Sequence, residues 1–240
     1  KKGYFNKLSK NELEKIREQI NNKDISRKIL RSYYSLLLKE KVINNYGRIR
    51  KDIKSIKKYY EKNGILKTSQ KYDNSPMTIF RLIVKNKYPK IKNLKKSINN
   101  LKKEDKIQLE IAEDNDIVSG LNQDIQQEKS FEFELQIQKI FKKKGVKFET
   151  QEELQEKQKE EYGKSVATPD ILLSEPIIIN DKEVNWIEIK YFYGGNSKFM
   201  MKKIKKQVQK YKDRWGPGCL IFKYGVASDI KIDDVIIVSL

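Results

Sequence analysis

The sequence predicts a mixed α/β domain preceded by an all-helical one, and three observations predict it. From residue 130 onward the apolar pattern runs helix, strand, hairpin, helix, strand. Over residues 11–62 apolar residues instead recur at i, i+3 and i+4, the helical period. Between these stretches, residues 104–129 turn polar and acidic (Glu110, Glu113, Asp114, Asp116, Asp124, Glu128) and contain Gly120, which marks a linker. The expected boundaries are a basic all-α domain over 1–105, an acidic linker over 106–129 and an α/β domain over 130–240.

Charge divides along the same line. Residues 1–110 carry 31 Lys and Arg against 11 Asp and Glu, a balance of +20, whereas 111–240 carry 21 against 22, a balance of −1. A lysine-rich composition would affect both parts, so the split itself points to a module at the N-terminal end that binds nucleic acid or another anionic surface. The chain has no histidine, which excludes Ser-His-Asp and Cys-His catalysis, histidine-bearing zinc fingers and nucleases with a histidine base. Its single cysteine, Cys219, sits in an apolar strand-like run and reads as a small buried residue; with no internal disulfide, an intracellular setting, nucleus or cytoplasm, is expected. No apolar run approaches the roughly eighteen residues of a membrane span, and no signal peptide is expected.

Residues 11–45 read as helical. Asn11 is the expected cap of a first short helix, and Leu30, Tyr33, Tyr34, Leu37 and Leu38 form the apolar stripe of a second. Residues 47–62 continue with Ile49, Ile53, Ile56 and Tyr60, and Gly64 ends them. Thr68 then starts a short helix, Asp73-Asn74 breaks it, and Ser75 caps another with Pro76 at its first position. Two helices about a tight polar turn resemble a helix-turn-helix, with Thr78, Arg81 and Lys85 of the second helix pointing outward to DNA. The same pattern also fits two packed core helices of an all-α domain.

In the second domain Ser130 is the expected cap of a helix ending near Gly145, with Phe131, Leu135, Ile137, Ile140 and Phe141 inward. A short strand VKFET follows, then a charged helix or loop over 151–162. The sequence TPDILLSEPIIINDKEVNWIEIK reads as two apolar strands joined by a polar turn at Asn180-Asp181-Lys182. A basic helix over 197–214 and the strands GCLIFKYG and VIIVSL complete the order.

The hairpin carries the chemistry. Alternation places Glu188 and Lys190 on one face of its second strand, and the hairpin brings Asp170 beside them. Two converging carboxylates repel unless a cation lies between them, and oxygen ligands suit Mg²⁺ or Mn²⁺. With a lysine adjacent, the set is suited to metal-assisted phosphodiester hydrolysis. In the following helix Gln207 and Tyr211 stack at i, i+4, placed to hold either the hairpin or the DNA backbone, beside a lysine run that includes Lys203, Lys206 and Lys210 and is suited to phosphate contact. Trp186 and Trp215 read as core or hinge packing.

Pro169-Asp170 with Glu188-Ile189-Lys190 resembles the signature of the PD-(D/E)xK nuclease superfamily. TPDILL, NWIEIKYFYGG and RWGPGCLIFKYG, in that order, are similar to the TPD-motif family, whose animal members are codanin-interacting nucleases. Family members read WIESK and then a Phe-Gly-Asp turn; here Ile189 precedes the lysine and the turn is Tyr193-Gly194-Gly195-Asn196. The resemblance implies a nuclease core of mixed sheet and flanking helices, Asp170, Glu188 and the Ile189 carbonyl as metal ligands, and Lys190 as a catalytic residue. It also implies a carboxylate from the first helix of that core. Glu132 and Glu134 lie about 200° apart on a helical wheel, so only one can face the site. Resemblance to the FE-x-E-L pattern of archaeal Holliday-junction resolvases favours Glu132 as a further catalytic residue and ligand. Gln207 and Tyr211 have the Q-x-x-x-Y spacing of RecB-like nucleases.

The expected function is a Mg²⁺- or Mn²⁺-dependent nuclease acting on DNA, with branched or structured DNA among its candidate substrates and a codanin-like protein as a family-implied partner. The alternative is a non-catalytic nucleic-acid-binding or scaffold protein that keeps the fold.

Overall fold

A computed structural model describes residues 5–20, 25–121 and 124–240. The chain divides into two compact units, Lys1–Gln123 and Asp124–Leu240. Among the described residues the first is mostly helical and the second is built on a five-stranded mixed sheet.

In the first unit α1 spans Lys10–Ile20 and α2 spans Arg27–Lys51. Residues 21–24 of the expected helical stretch lie outside the described residues. The cap of α1 is Ser9, not Asn11: Ser9 N donates to Glu12 and Glu12 N donates back to Ser9 Oγ. On α2 the buried line is Leu30, Leu38 and Val42 with Tyr34 packed beside it, whereas Tyr33 and Leu37 are exposed. The face therefore follows i, i+4 steps, and the i+3 members of the expected stripe rotate off it.

Helix α3, Ile53–Tyr72, is broken at Gly64, where φ is 74° and ψ 176°. A Cβ there would stand 2.9 Å from Gln108 Oε1, which accepts from Ile65 N. Asp73, in the left-handed region, ends the helix, and Ser75 caps α4 (Pro76–Lys87) by accepting from Thr78 N. Helix α4 is the central helix of this unit: Met77, Ile79, Phe80, Ile83 and Val84 are all buried in one cluster with Ile56, Tyr60 and Ile65. The expectation of a recognition helix presenting Thr78 and Arg81 outward is therefore corrected. Thr78 is buried against Ser75 and Ser119, and Arg81 is half-buried and donates to the Gly120 carbonyl. Of the three, Lys85 alone is exposed.

The expected linker also differs. Residues Lys103–Asp114 form a helix, α5, whose Leu109 and Ala112 are buried in the same cluster as α4. Its acidic residues hid an amphipathic helix: Leu109 and Ala112 are buried in that core, Ile111 packs against it, and the charged side chains other than Asp105 take the other face. Asp116, one of the supposed linker acids, is buried and accepts from Ser75 Oγ, Met77 N, Val118 N and Ser119 N.

In the second unit α6 spans Asp124–Lys143, so Ser130 is inside the helix, donating to Glu134, and is not its cap. Phe133 and Ile137 are buried with Phe141 packed beside them, while Phe131 and Ile140, expected inward, are exposed. Strand β1 (Phe148–Thr150) leads into α7 (Gln151–Tyr162), closed at its start by reciprocal Thr150 and Glu153 bonds. Strands β2 (Ile171–Ile179) and β3 (Lys182–Lys190) form the predicted hairpin. Asn180 and Asp181 both have positive φ (48° and 59°), the conformation that a tight two-residue hairpin loop requires. Helix α8 (Lys198–Trp215) crosses over to β4 (Gly218–Phe222), and β5 (Val235–Ser239) closes the sheet. The order is β1-β2-β3-β4-β5, antiparallel from β1 to β3 and parallel from β3 to β5.

Candidate active site

Three pieces of backbone meet at the site: the residues leading into β2, the C-terminal end of β3 and the middle of α8. Trp186 fixes the first turn of this arrangement. It is fully buried, donates through Nε1 to the Gly216 carbonyl at 2.9 Å and meets the Tyr211 ring edge-on at 5.2 Å. A Cβ on Gly218 would fall 2.1 Å from the Trp186 ring, so this glycine lets β4 close against the indole. Trp186 is core packing, and α8 is thereby seated with Gln207 and Tyr211 over β3.

Asp170 and Glu188 are both buried, at 6% and 3% exposure. Asp170 Oδ2 accepts from Ile189 N at 2.6 Å. Lys190 Nζ donates to Glu188 Oε1 and to Gln207 Oε1, the latter at 3.0 Å. Gln207 Nε2 in turn donates to Glu188 Oε1 at 2.8 Å. The other Glu188 oxygen, Oε2, is buried with no hydrogen-bond partner. Burial, the Glu188 charge and, more weakly, the Glu134 charge push the Asp170 carboxyl well above its ordinary range. The Lys190 carbonyl accepts from Lys223 N on the β4 side. Alternation then turns the Ile189 carbonyl, like its N–H, to the β2 side where Asp170 stands.

Of the two α6 carboxylates, Glu134 is the half-buried one whose charge reaches Glu188 and Asp170. Burial raises its pKa, and the Glu188 charge adds to that, whereas Glu132 is exposed. The phase of α6 explains the choice: with Phe133 and Ile137 inward, residue 134 borders the sheet and residue 132 turns to solvent. That phase was present in the spacing of Phe133, Ile137 and Phe141. Among the described residues no three Asp, Glu, Cys or His side chains stand close enough to hold an ion together. The carboxylates that converge are the pair Asp170 and Glu188, with Glu134 acting on them through its charge.

A groove of about 300 Å³ opens beside this pair, lined by Val166, Ala167, Thr168, Lys203, Lys206, Gln207, Lys210 and Tyr211. The five α8 residues singled out in the sequence therefore share one surface with the Thr-Pro-Asp segment. Two glutamines that the sequence did not single out hold that segment in place. Gln158 is buried, accepts from Val166 N and Ala167 N, and donates to the Ala167 carbonyl. Gln151 Nε2 and Tyr211 OH both donate to the Thr168 carbonyl at 3.2 Å. The available signal was their i, i+7 spacing on α7, which puts both amides on one face. Cys219, buried in β4 with its thiol pushed up to about 12 by desolvation, takes no part.

A family model described as a protein of unknown function with the TPD sequence motif matches residues 99–239. It covers more than half of the chain, and the chain belongs to that family. An uncharacterized protein of Acanthamoeba polyphaga mimivirus is 28% identical over 229 residues, spanning 90% of this chain and 78% of that protein. No solved structure matches. The family match begins ahead of α5 and so takes in part of the first unit as well as the whole sheet. No helix among the described residues is long and apolar enough to cross a membrane.

Proposed function

We propose that this TPD-motif protein is a Mg²⁺- or Mn²⁺-dependent nuclease that hydrolyses phosphodiester bonds of DNA, with a core of PD-(D/E)xK type. The observation that carries the reading is the unpartnered buried oxygen of Glu188 next to a second buried carboxylate, Asp170. A buried acceptor without a donor is costly, and a hard cation preferring oxygen ligands relieves both that cost and the repulsion of the pair. Asp170, Glu188 and the Ile189 carbonyl would hold the ion, with Glu134 in the place expected for Glu132. An ion held by these residues would supply an acidified water and offset charge on the scissile phosphate.

The chain's own groups do the rest. Lys190, fixed between Glu188 and Gln207, presents its ammonium to a phosphate oxygen or to the attacking water. Gln207 holds both catalytic side chains of β3, and Tyr211 ties α8 to the Thr168 backbone. Lys203, Lys206 and Lys210 neutralise phosphates along the groove. By family resemblance a codanin-like protein is a partner, and an intracellular setting, nucleus or cytoplasm, goes with the reading.

The rival is a non-catalytic nucleic-acid-binding or scaffold protein, and one observation favours it: among the described residues no three carboxylates stand close enough to share an ion. Incubating the protein with end-labelled linear duplex, single strand and four-way junction in Mg²⁺, Mn²⁺ or EDTA separates the two. Cleavage that requires the metal is expected; binding without cleavage of any substrate in either metal overturns the nuclease reading.

A further inference from the structure

The N-terminal charge excess still needs a surface, because α4 is a core helix. From Asn74 to Lys103 the chain has nine Lys and Arg and no Asp or Glu. In the connection from α4 to α5 this stretch is sorted by side. Tyr88, Ile91, Leu94, Ile98 and Leu101 pack against the core of the unit, whereas Lys90, Lys92, Lys96, Lys102 and Lys103 are exposed.

The connection is also fastened at both ends by one buried carboxylate. Asp105 accepts from Tyr60 OH at 2.9 Å, from Lys87 Nζ at 2.7 Å and from Tyr88 OH. Lys102 N donates to the Tyr88 hydroxyl at 3.2 Å, closing the loop from the far side. Between these points Ile91 N bonds the Tyr88 carbonyl, Lys96 N bonds Asn93 Oδ1, and Leu101 N bonds the Ile98 carbonyl. The lysines therefore project from a backbone that is already ordered, so binding a polyanion need not order it again.

We propose that this connection, residues 88–103, is the principal nucleic-acid contact surface of the N-terminal unit, docking the phosphate backbone of a DNA duplex through Lys90, Lys92, Lys96 and Lys102. The inference rests on the reading that the substrate is nucleic acid. Recognition by point charges on phosphates carries no base information, so the contact is independent of sequence. A membrane surface is the poorer match, because the apolar side chains of the segment face the core and leave nothing to insert between lipids.

The test is carried out on the full chain in EDTA, so that cleavage plays no part. Binding to a short fluorescent duplex is measured by anisotropy over a range of salt for the protein, for a quadruple variant K90Q/K92Q/K96Q/K102Q, and for an equally charged control, K51Q/K54Q/K58Q/K62Q. These control lysines are exposed on or beside α3. Unchanged melting of each variant shows that the fold is intact. The quadruple variant is expected to lose about one unit of log K against log salt slope per lysine, about 3 to 4 in all, and at least about tenfold in affinity at low salt. The control is expected to lose far less. Equal losses in both variants overturn the assignment, since net charge alone would then account for binding. Full retention of binding by the quadruple variant overturns it as well, as does loss of binding to phosphatidylserine vesicles with duplex binding unchanged. If the unaltered protein binds no duplex at all, it is the nucleic-acid reading itself that fails.

Discussion

Among the described residues each unit buries two carboxylates, and the two units treat them in opposite ways. In the first, Asp105 has three side-chain donors and Asp116 has four donors, two of them backbone N–H groups of the turn that follows it. In the second, Asp170 has one N–H, and one oxygen of Glu188 has nothing. For Asp105 and Asp170 the titration follows the partners. Burial raises the Asp105 carboxyl, but hydrogen bonds from Lys87, Tyr88 and Tyr60 outweigh it and leave it below its ordinary value. Asp170 has burial and a like-charged neighbour against a single N–H, and goes well above. A buried acid whose acceptors are all used holds a fold together; one that is left short of donors is what the proposed cation site would need.

The largest effect should come from removing the short-changed pair. Asp170→Ala or Glu188→Ala is expected to reduce metal-dependent cleavage by at least about a thousandfold, since a catalytic ion supplies several kcal/mol of transition-state stabilisation. Binding of nucleic acid should stay nearly unchanged. Cleavage assays beside anisotropy on the same samples check both halves, and undiminished cleavage by Asp170→Ala contradicts the site.

The mirror experiment is Asp105→Ala. It leaves two tyrosine hydroxyls and Lys87 without their shared acceptor, and should destabilise the protein by about 3 kcal/mol in urea unfolding, with no fall in cleavage per folded molecule. A loss of activity without a loss of stability would erase the distinction between the two kinds of acid.

Acid should sharpen the contrast. Asp105, with a folded value below its ordinary 3.8, contributes stability that is present above 3.8 and is lost as the pH falls through the folded value. Asp170, raised well above the same 3.8, contributes stability that is present below 3.8 and is lost as the pH rises through its folded value. In metal-free protein, acidification from neutral should therefore raise the hydrogen-exchange protection of β3 while α4 and α5 hold until the pH drops below about 3.8. Parallel changes in both units would count against it. The smallest effect is expected for Tyr211→Phe. The Thr168 carbonyl keeps Gln151 as a donor, so the loss should be about 1 kcal/mol, read as slightly faster exchange in residues 166–170.

Much of the second unit could be read from the chain because its signals are local. Asn180-Asp181 fixes a tight hairpin, alternation fixes which face Glu188 and Lys190 share, and Ser197 and Gly216 bracket α8. Errors arose where tertiary packing decides. Glu132 and Glu134 differ only in the phase of α6; the spacing of Phe133, Ile137 and Phe141 carried it, but Phe131 and Ile140 offered a competing face that only packing against the sheet rejects. The acidic stretch after residue 103 looked like a linker because the short apolar face of α5, Leu109, Ile111 and Ala112, is interleaved with acidic residues, and one of those acids, Asp105, is itself buried. Ser75 and Pro76 announced α4 correctly, yet nothing local says whether such a helix lies on a surface or in a core, and Thr78 and Arg81 were misplaced for that reason. Gln158 was missed for the same cause: its spacing from Gln151 shows a shared helix face, but its three partners are backbone groups brought to it by the fold.

The central claim is that Asp170 and Glu188 are a cation site in waiting, and thermal melting of two proteins tests it most directly. In EDTA, Asp170→Asn should melt above the unaltered chain, because it removes one of two repelling charges. Adding Mn²⁺ should raise the unaltered protein, by roughly 2.7 kcal/mol at a hundredfold excess over Kd, and barely move the variant, so that the gap closes. Equal shifts of both proteins on adding Mn²⁺ would mean that Asp170 is not a ligand.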